Sequence, residues 1–345
     1  MKAMAKMVVL ACGSLALVHC ATPNLDDGEL GDGSGSTESG SPASGVKLPP
    51  TSTDAPSGTT PTTPGSPATP GGPNAPSAKC DLTKSFLAPT LVSGLAPGQH
   101  FATPRLSSDE LTLYFTTHVN TKARLARAVR TAVTAPFGAP MVLAAQSSDA
   151  KDNDPSVSAD GSSLWFSSER SGSQDKLYMA PLLAGTGMFG TPQLVPTVGS
   201  SGSSAEDQHP YYRVSGGGEL WFASSRNGEW DIFVASKNAT GFDAPKRVDE
   251  LHASAATRQP MVSEDGLTIL FASERLGGLG ERDLWTARRT SVTTPFGTPE
   301  ALSTVNSAAD EFAGFLSNDG CRIYFSSDRA SAKVHSVYVA TRPAK

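Results

Sequence analysis

From residue 86 onward, apolar and polar positions repeat one pattern five times. Its centre reads TPRLSSDELTLYFTT from Thr103, DPSVSADGSSLWFSS from Asp154 and HPYYRVSGGGELWFASS from His209. It continues as QPMVSEDGLTILFASE from Gln259 and AGFLSNDGCRIYFSSD from Ala313. The aligned aromatics Phe115, Phe166, Phe222, Phe271 and Phe325 stand 51, 56, 49 and 54 residues apart. Alternation of apolar with other residues marks a half-buried strand. A period near 50 with β-type content marks a propeller, one copy per blade.

Each copy predicts four strands. A Pro opens the first, innermost strand, where a missing donor does little harm. Asp160-Gly161, Asp265-Gly266 and Asp319-Gly320 supply the positive φ values of a tight hairpin turn. Alternating residues such as Leu164, Trp165 and Phe166 form the second strand. The third closes with runs such as Asp175–Ala180, Asp231–Ala235, Asp283–Ala287 and Val337–Ala340. A Phe-x-x-Pro segment then begins the outer strand: Phe137–Pro140, Phe189–Pro192, Phe242–Pro245 and Phe296–Pro299. The fifth copy of that segment, Phe86–Pro89, comes before the first centre, and none follows Ala340. The count is complete but shifted by one strand. The fold expected is all-β: a five-bladed propeller of four-stranded antiparallel blades over residues 80–345. Its N-terminal strand, near residues 86–93, completes the C-terminal blade and leaves no long unpaired edge in the ring.

Cys80 precedes that strand, and Cys321 lies in the last blade, so ring closure predicts a Cys80–Cys321 disulfide. A loop of this length contributes on the order of 4–5 kcal/mol in the chain-entropy model. Such a bond requires an oxidising compartment.

The N-terminal region supplies one. Lys2 and Lys6 precede an apolar run from Met7 to Val18 that is too short to span a bilayer, the pattern of a secretory signal over residues 1–19. Leu17-Val18-His19-Cys20 resembles the bacterial lipobox, although His19 stands where Gly or Ala is usual. The resemblance implies acylation at Cys20 and a membrane anchor without a spanning helix. The alternative is a secreted protein cut near Ala21 or Pro23. Residues 20–79 hold 11 Pro, 10 Gly and no aromatic residue. Such a segment cannot offset its ordering entropy, so a disordered linker is expected. Its end-to-end distance would be ~40 Å. The expected address is the cell envelope, as an outer-membrane lipoprotein facing the periplasm or the cell surface.

The unit P-x-(V/L)-S-x-D-G-x-x-(L/I)-x-F-x-S-x-R-x-G-x-x-D-(I/L)-(Y/F/W) resembles the WD40-like PD40 repeat, whose family includes the TolB propeller. The resemblance covers about 260 residues. It implies a propeller acting as a binding scaffold, and TolB's preceding α/β domain has no counterpart here. The first copy departs from the unit with Asp109-Glu110 in place of Asp-Gly, and the fifth with Gly314 in place of Pro.

A ligand needs asymmetry, so residues repeated in every blade are scaffold candidates and unrepeated ones are site candidates. Arg170, Arg226, Arg275 and Arg329 repeat, and are expected to pair with acids such as Asp152, Asp207 or Glu311. The candidate ligand-binding residues are His100, His118, Asp152, Glu206, Asp207, His209, Trp230 and Glu311. His100, His118 and His209 lack the close spacing of a metal site, and neither metal nor cofactor is expected. The net charge of −5 argues against a nucleic-acid surface. The expected function is non-catalytic binding of a protein, or of a cell-wall glycan, by a monomer. The alternative is a carbohydrate-active hydrolase or lyase using acids at the central channel. Asp149, Asp152, Asp154, Glu206, Asp207, Asp310 and Glu311 supply carboxylates but no recognisable pair.

Overall fold

In a computed structural model, residues 80–96, 99–195, 198 and 205–345 are described. The signal segment, Cys20 and the linker lie outside them. Among the described residues no helix is long and apolar enough to cross a membrane.

The described residues form five antiparallel sheets; four run outward from an inner strand in sequence order, and the fifth takes its outer strand from the N-terminal end. Blade 1 contains Ala102–Leu106, Thr112–Val119, Lys122–Val129 and Met141–Val142. Blade 2 contains Asp152–Val157, Ser163–Ser168, Lys176–Leu183 and Gln193–Leu194, with Met188–Phe189 extending the third strand's hairpin. Blade 3 contains Asp207–Arg213, Glu219–Ser224, Asp231–Asn238 and Lys246–Arg247, with Gly241–Phe242 as a similar extension. Blade 4 contains Thr257–Val262, Thr268–Ser273, Asp283–Arg288 and Glu300–Ala301. Blade 5 contains Glu311–Leu316, Arg322–Ser327 and Ser336–Thr341, and its outer strand is Thr90–Leu91.

The ring closes as the shifted count requires. Thr90 pairs with Val339 and Leu91 with Tyr338. Cys80 and Cys321 are disulfide-bonded across 241 residues of sequence. Cys80 also bridges Ala344, Asp81 N donates to Pro343 O, and the Arg342 guanidinium lies 4.1 Å over the Phe86 ring. Such a long-range disulfide marks an extracytoplasmic chain.

The repeated aromatics Phe115, Phe166, Phe222, Phe271 and Phe325 are fully buried on the second strands. Each repeat arginine lies over that phenylalanine, at 4.9 Å in blade 2 and 5.1 Å in blade 5. Its guanidinium then joins two successive blades. Arg226 donates to Ser224 Oγ, to Val198 O at the end of blade 2, and to Asp207 Oδ1 at 2.7 Å. Arg170 pairs likewise with Asp152 at 2.6 Å and Arg329 with Glu311 at 2.9 Å. Blade 4 has Thr257 in the acid's place, and Arg275 donates to its hydroxyl.

Two expectations need correction. The proline does not open the inner strand: Pro155 is the fourth residue of Asp152–Val157. The residue before it carries the exception, with φ of +49° to +58° at Thr103, Asp154, His209 and Gln259. Each marks a bulge where the ladder skips a pair, so the proline's missing donor costs no ladder bond. In the Asp-Gly turns only the glycine has positive φ. The aspartate instead accepts from the serine two residues earlier, as Asp160 does from Ser158 Oγ at 2.7 Å.

Candidate functional site: the mouth of the central channel

The inner strands present successive tiers of side chains around the axis. The residue just before the bulge position differs in every blade: Ala102, Asn153, Gln208, Arg258 and Phe312. Below it stand the bulge residues Thr103, Asp154, His209 and Gln259, with Ala313 at the corresponding place in blade 5. A left-handed conformation in a non-glycine residue costs on the order of 1–3 kcal/mol and needs support from its surroundings. Contacts between neighbouring blades supply it here. Asp154 N donates to Thr116 Oγ1 at 2.9 Å, His209 N to Asp154 Oδ2 at 3.3 Å, and Ala313 N to Gln259 Oε1 at 2.9 Å.

A third tier closes the channel. Arg105 of blade 1 crosses the axis and donates to the carbonyls of Gly314 in blade 5 and Pro260 in blade 4. Its guanidinium stands 5.6 Å from the Tyr211 ring of blade 3. Gly314 interrupts the proline pattern for this reason, because a Cβ there would collide with the carbonyl oxygens of Pro104 and Tyr324. A cavity of only about 10 Å³ remains beside Arg105, Ser156, Tyr211 and Phe315.

Above the plug the mouth is polarised. Blades 2 and 3 bring the acids. Asp154 accepts from Ser167 Oγ at 2.7 Å and lies 3.5 Å from His209 Nε2. Asp175 is buried, and that burial, with the nearby Asp154 charge, pushes its carboxyl up to about 7 despite a 2.6 Å hydrogen bond from Gln208. Glu206 lies near Asp175. Burial drives His209 down to about 4; Asp154 opposes that shift, while Arg258, Arg282 and Arg105 add to it.

Planar groups line the opposite side. Arg258 lies 4.3 Å over the Trp230 ring, and Arg282 lies 4.6 Å over Phe312. Phe312 stacks on His335 at 4.2 Å, His335 meets His100 at 5.2 Å, and His100 meets His118 at 4.8 Å. The arc therefore runs from blade 3 across the closure seam to blade 1. Burial and the neighbouring His335 and His118 hold His100 neutral, down to about 4.

The candidate residues thus separate into two groups. Asp152, Asp207 and Glu311 are fully buried and held by the repeat arginines, outside the mouth. His100, His118, Glu206, His209 and Trp230 do belong to it. His209 stands apart from the other two histidines, and among the described residues no group of three His, Cys, Asp or Glu is placed to hold a metal ion. Sequence reasoning missed Arg258, Arg282, Phe312, His335, Asp175 and Arg105. The unrepeated position just before the bulge would have revealed Arg258 and Phe312.

No family model matches the chain, and neither does any curated protein. Among solved structures, the putative TolB of Agrobacterium tumefaciens is similar at 17% identity and a TM-score of 0.39, covering 71% of this chain and 91% of that one. The TolB of Acinetobacter baumannii is similar at 16% identity and a TM-score of 0.41; 72% of this chain matches 56% of that one. The catalytic domain of a Coprinopsis cinerea GH62 α-L-arabinofuranosidase is similar at 12% identity and a TM-score of 0.48, covering 75% and 97%. The propeller architecture stands on the strand pairing described above.

Proposed function

We propose that the protein is a non-catalytic binding module of the cell envelope, held to the outer membrane by a lipid on Cys20, whose channel mouth engages a protein partner. One observation carries this reading: the side chains that break the five-fold repeat converge on one mouth, and Arg105 closes the channel beneath them. A surface of unrepeated aromatic and arginine side chains is the composition of binding hot spots. A cell-wall glycan is the second partner this mouth would accept.

The other reading is a carbohydrate-active hydrolase, and it draws on Asp154 and Asp175. A carboxylate beside a carboxyl raised to about 7 is the pairing that general acid–base chemistry uses. Both are buried, however, and both come from blade 2.

A photo-crosslinking residue at position 230, in the full chain in cells, tests the proposal against one at Leu183. Leu183 is exposed at the far end of a third strand. The expected result is a discrete protein adduct from 230 that is absent from 183. Hydrolysis of a polysaccharide panel by the purified chain, abolished by Asp154→Asn, would overturn the proposal.

A further inference from the structure

The mouth contains a cation that makes no ion pair among the described residues; Glu274, Asp154 and Glu206 act on it only through space. Arg258 is half-buried, its Nε is buried with no hydrogen-bond partner among the described residues, and its contact is the face of Trp230. The repeat arginines, by contrast, all have hydrogen-bonded partners. Removing a guanidinium from water without a directly bonded counter-ion is unfavourable, and an arriving anion that bonds it relieves that cost. A second cation is close enough to share the anion. Arg282 is held loosely, with Nη2 at 3.4 Å from Glu274 and Nη1 at 3.8 Å from Asp310. Below them His209 is more than nine-tenths buried, and its Nδ1 also has no partner among the described residues.

From these observations we infer that Arg258 and Arg282 form a receptor for the carboxylate of an acidic peptide segment, which lays its flanking apolar residues on the rim. The inference deepens the binding-module reading and rests on it. Two planar guanidiniums match the geometry of a carboxylate. The flanking chemistry favours a peptide over an acidic sugar. Leu276 and Leu279, on the loop between Glu274 and Arg282, are 99% and 59% exposed. They offer apolar contact that hydroxylated rings do not use. Gln208, whose Nε2 donates to Asp175, keeps its Oε1 as an acceptor, and the half-buried Asn153 adds the donor and acceptor that a peptide backbone takes.

The test is calorimetric titration of the full chain in detergent micelles. The probe is an N-acetylated, C-amidated leucine–glutamate peptide; its glutamine counterpart, polygalacturonate and inorganic phosphate are the comparisons. The acidic peptide is expected to bind, with affinity falling as salt rises, and the glutamine peptide is expected to fail. Arg258→Gln should weaken binding on the order of 30-fold, the usual loss when one partner of a buried charge pair is removed. Arg258→Lys should recover part of it. Glu274→Gln, an exposed change that leaves the fold intact, should tighten binding by freeing Arg282. Equal peptide affinity in the wild type and Arg258→Gln would overturn the assignment, as would preference for polygalacturonate or phosphate. In either case a crosslink from position 230 would leave the binding-module reading standing.

Discussion

Replacing Cys80 with serine is expected to lower the melting temperature by roughly 10 °C. The disulfide joins residues 241 apart, so nearly the whole ring lies inside the loop it closes. In the chain-entropy model a loop of that size is worth about 5 kcal/mol, and at ~2 °C per kcal/mol for a domain of this size the shift follows. The ring should still fold, because Leu87 N still donates to Thr341 O, Val92 N to Val337 O, and Arg342 still covers Phe86. Thermal melts of wild type with and without reductant, beside Cys80→Ser, make the comparison. Reduced wild type and the variant should coincide. An unchanged melting temperature on reduction would show that the seam is held without the disulfide.

The second large effect is expected at Glu110, which occupies the glycine position of the blade 1 turn at φ +60°. Its carboxylate is buried and reaches into blade 5. Arg322 donates to both oxygens, at 2.8 and 2.7 Å, and Tyr324 Oη donates to one at 2.8 Å. Arg130, over the Phe137 ring, lies 3.9 Å away and donates to Tyr324 Oη at 3.0 Å. Glu110→Gln leaves the buried Arg130 without its anion and Arg322 with Asp319, at 3.3 Å, in its place, and should cost about 3 kcal/mol. Glu110→Gly removes the same carboxylate but relaxes the turn, so it should cost less than Glu110→Gln, by up to about 1 kcal/mol. Urea unfolding of both variants separates clasp from turn. If Glu110→Gly matched wild type, the clasp would be worth no more than the turn's relief of about 1 kcal/mol.

Glu110 also shows what the sequence concealed. Read against the repeat it is a defect, a glutamate in a glycine's place. In the fold it fastens blade 1 to blade 5, while the disulfide fastens the N-terminal strand within blade 5. The ring itself was legible because five copies state the same strand pattern, and the displaced Phe86–Pro89 segment told how the ends join. The arginine staples were legible for the same reason, since repetition marks a shared structural task. The mouth was only half legible. Trp230 and His209 stood out by departing from the repeat. Arg258 and Phe312 did not, because their meaning depends on which side of a bulge they fall, and the bulge arises from a positive φ that composition does not announce. His335 was hidden differently. It meets His100 across the seam, 235 residues away in sequence, and becomes a neighbour only once the ring is closed.

Closure therefore carries both the stability and the mouth, and amide hydrogen exchange measures it directly. Residues 87–92 and 336–341 should be protected together in the oxidised chain, and reduction should weaken both in step. Rapid exchange over 87–92 while 336–341 stays protected would contradict the account, because the first strand would then lie off the last blade.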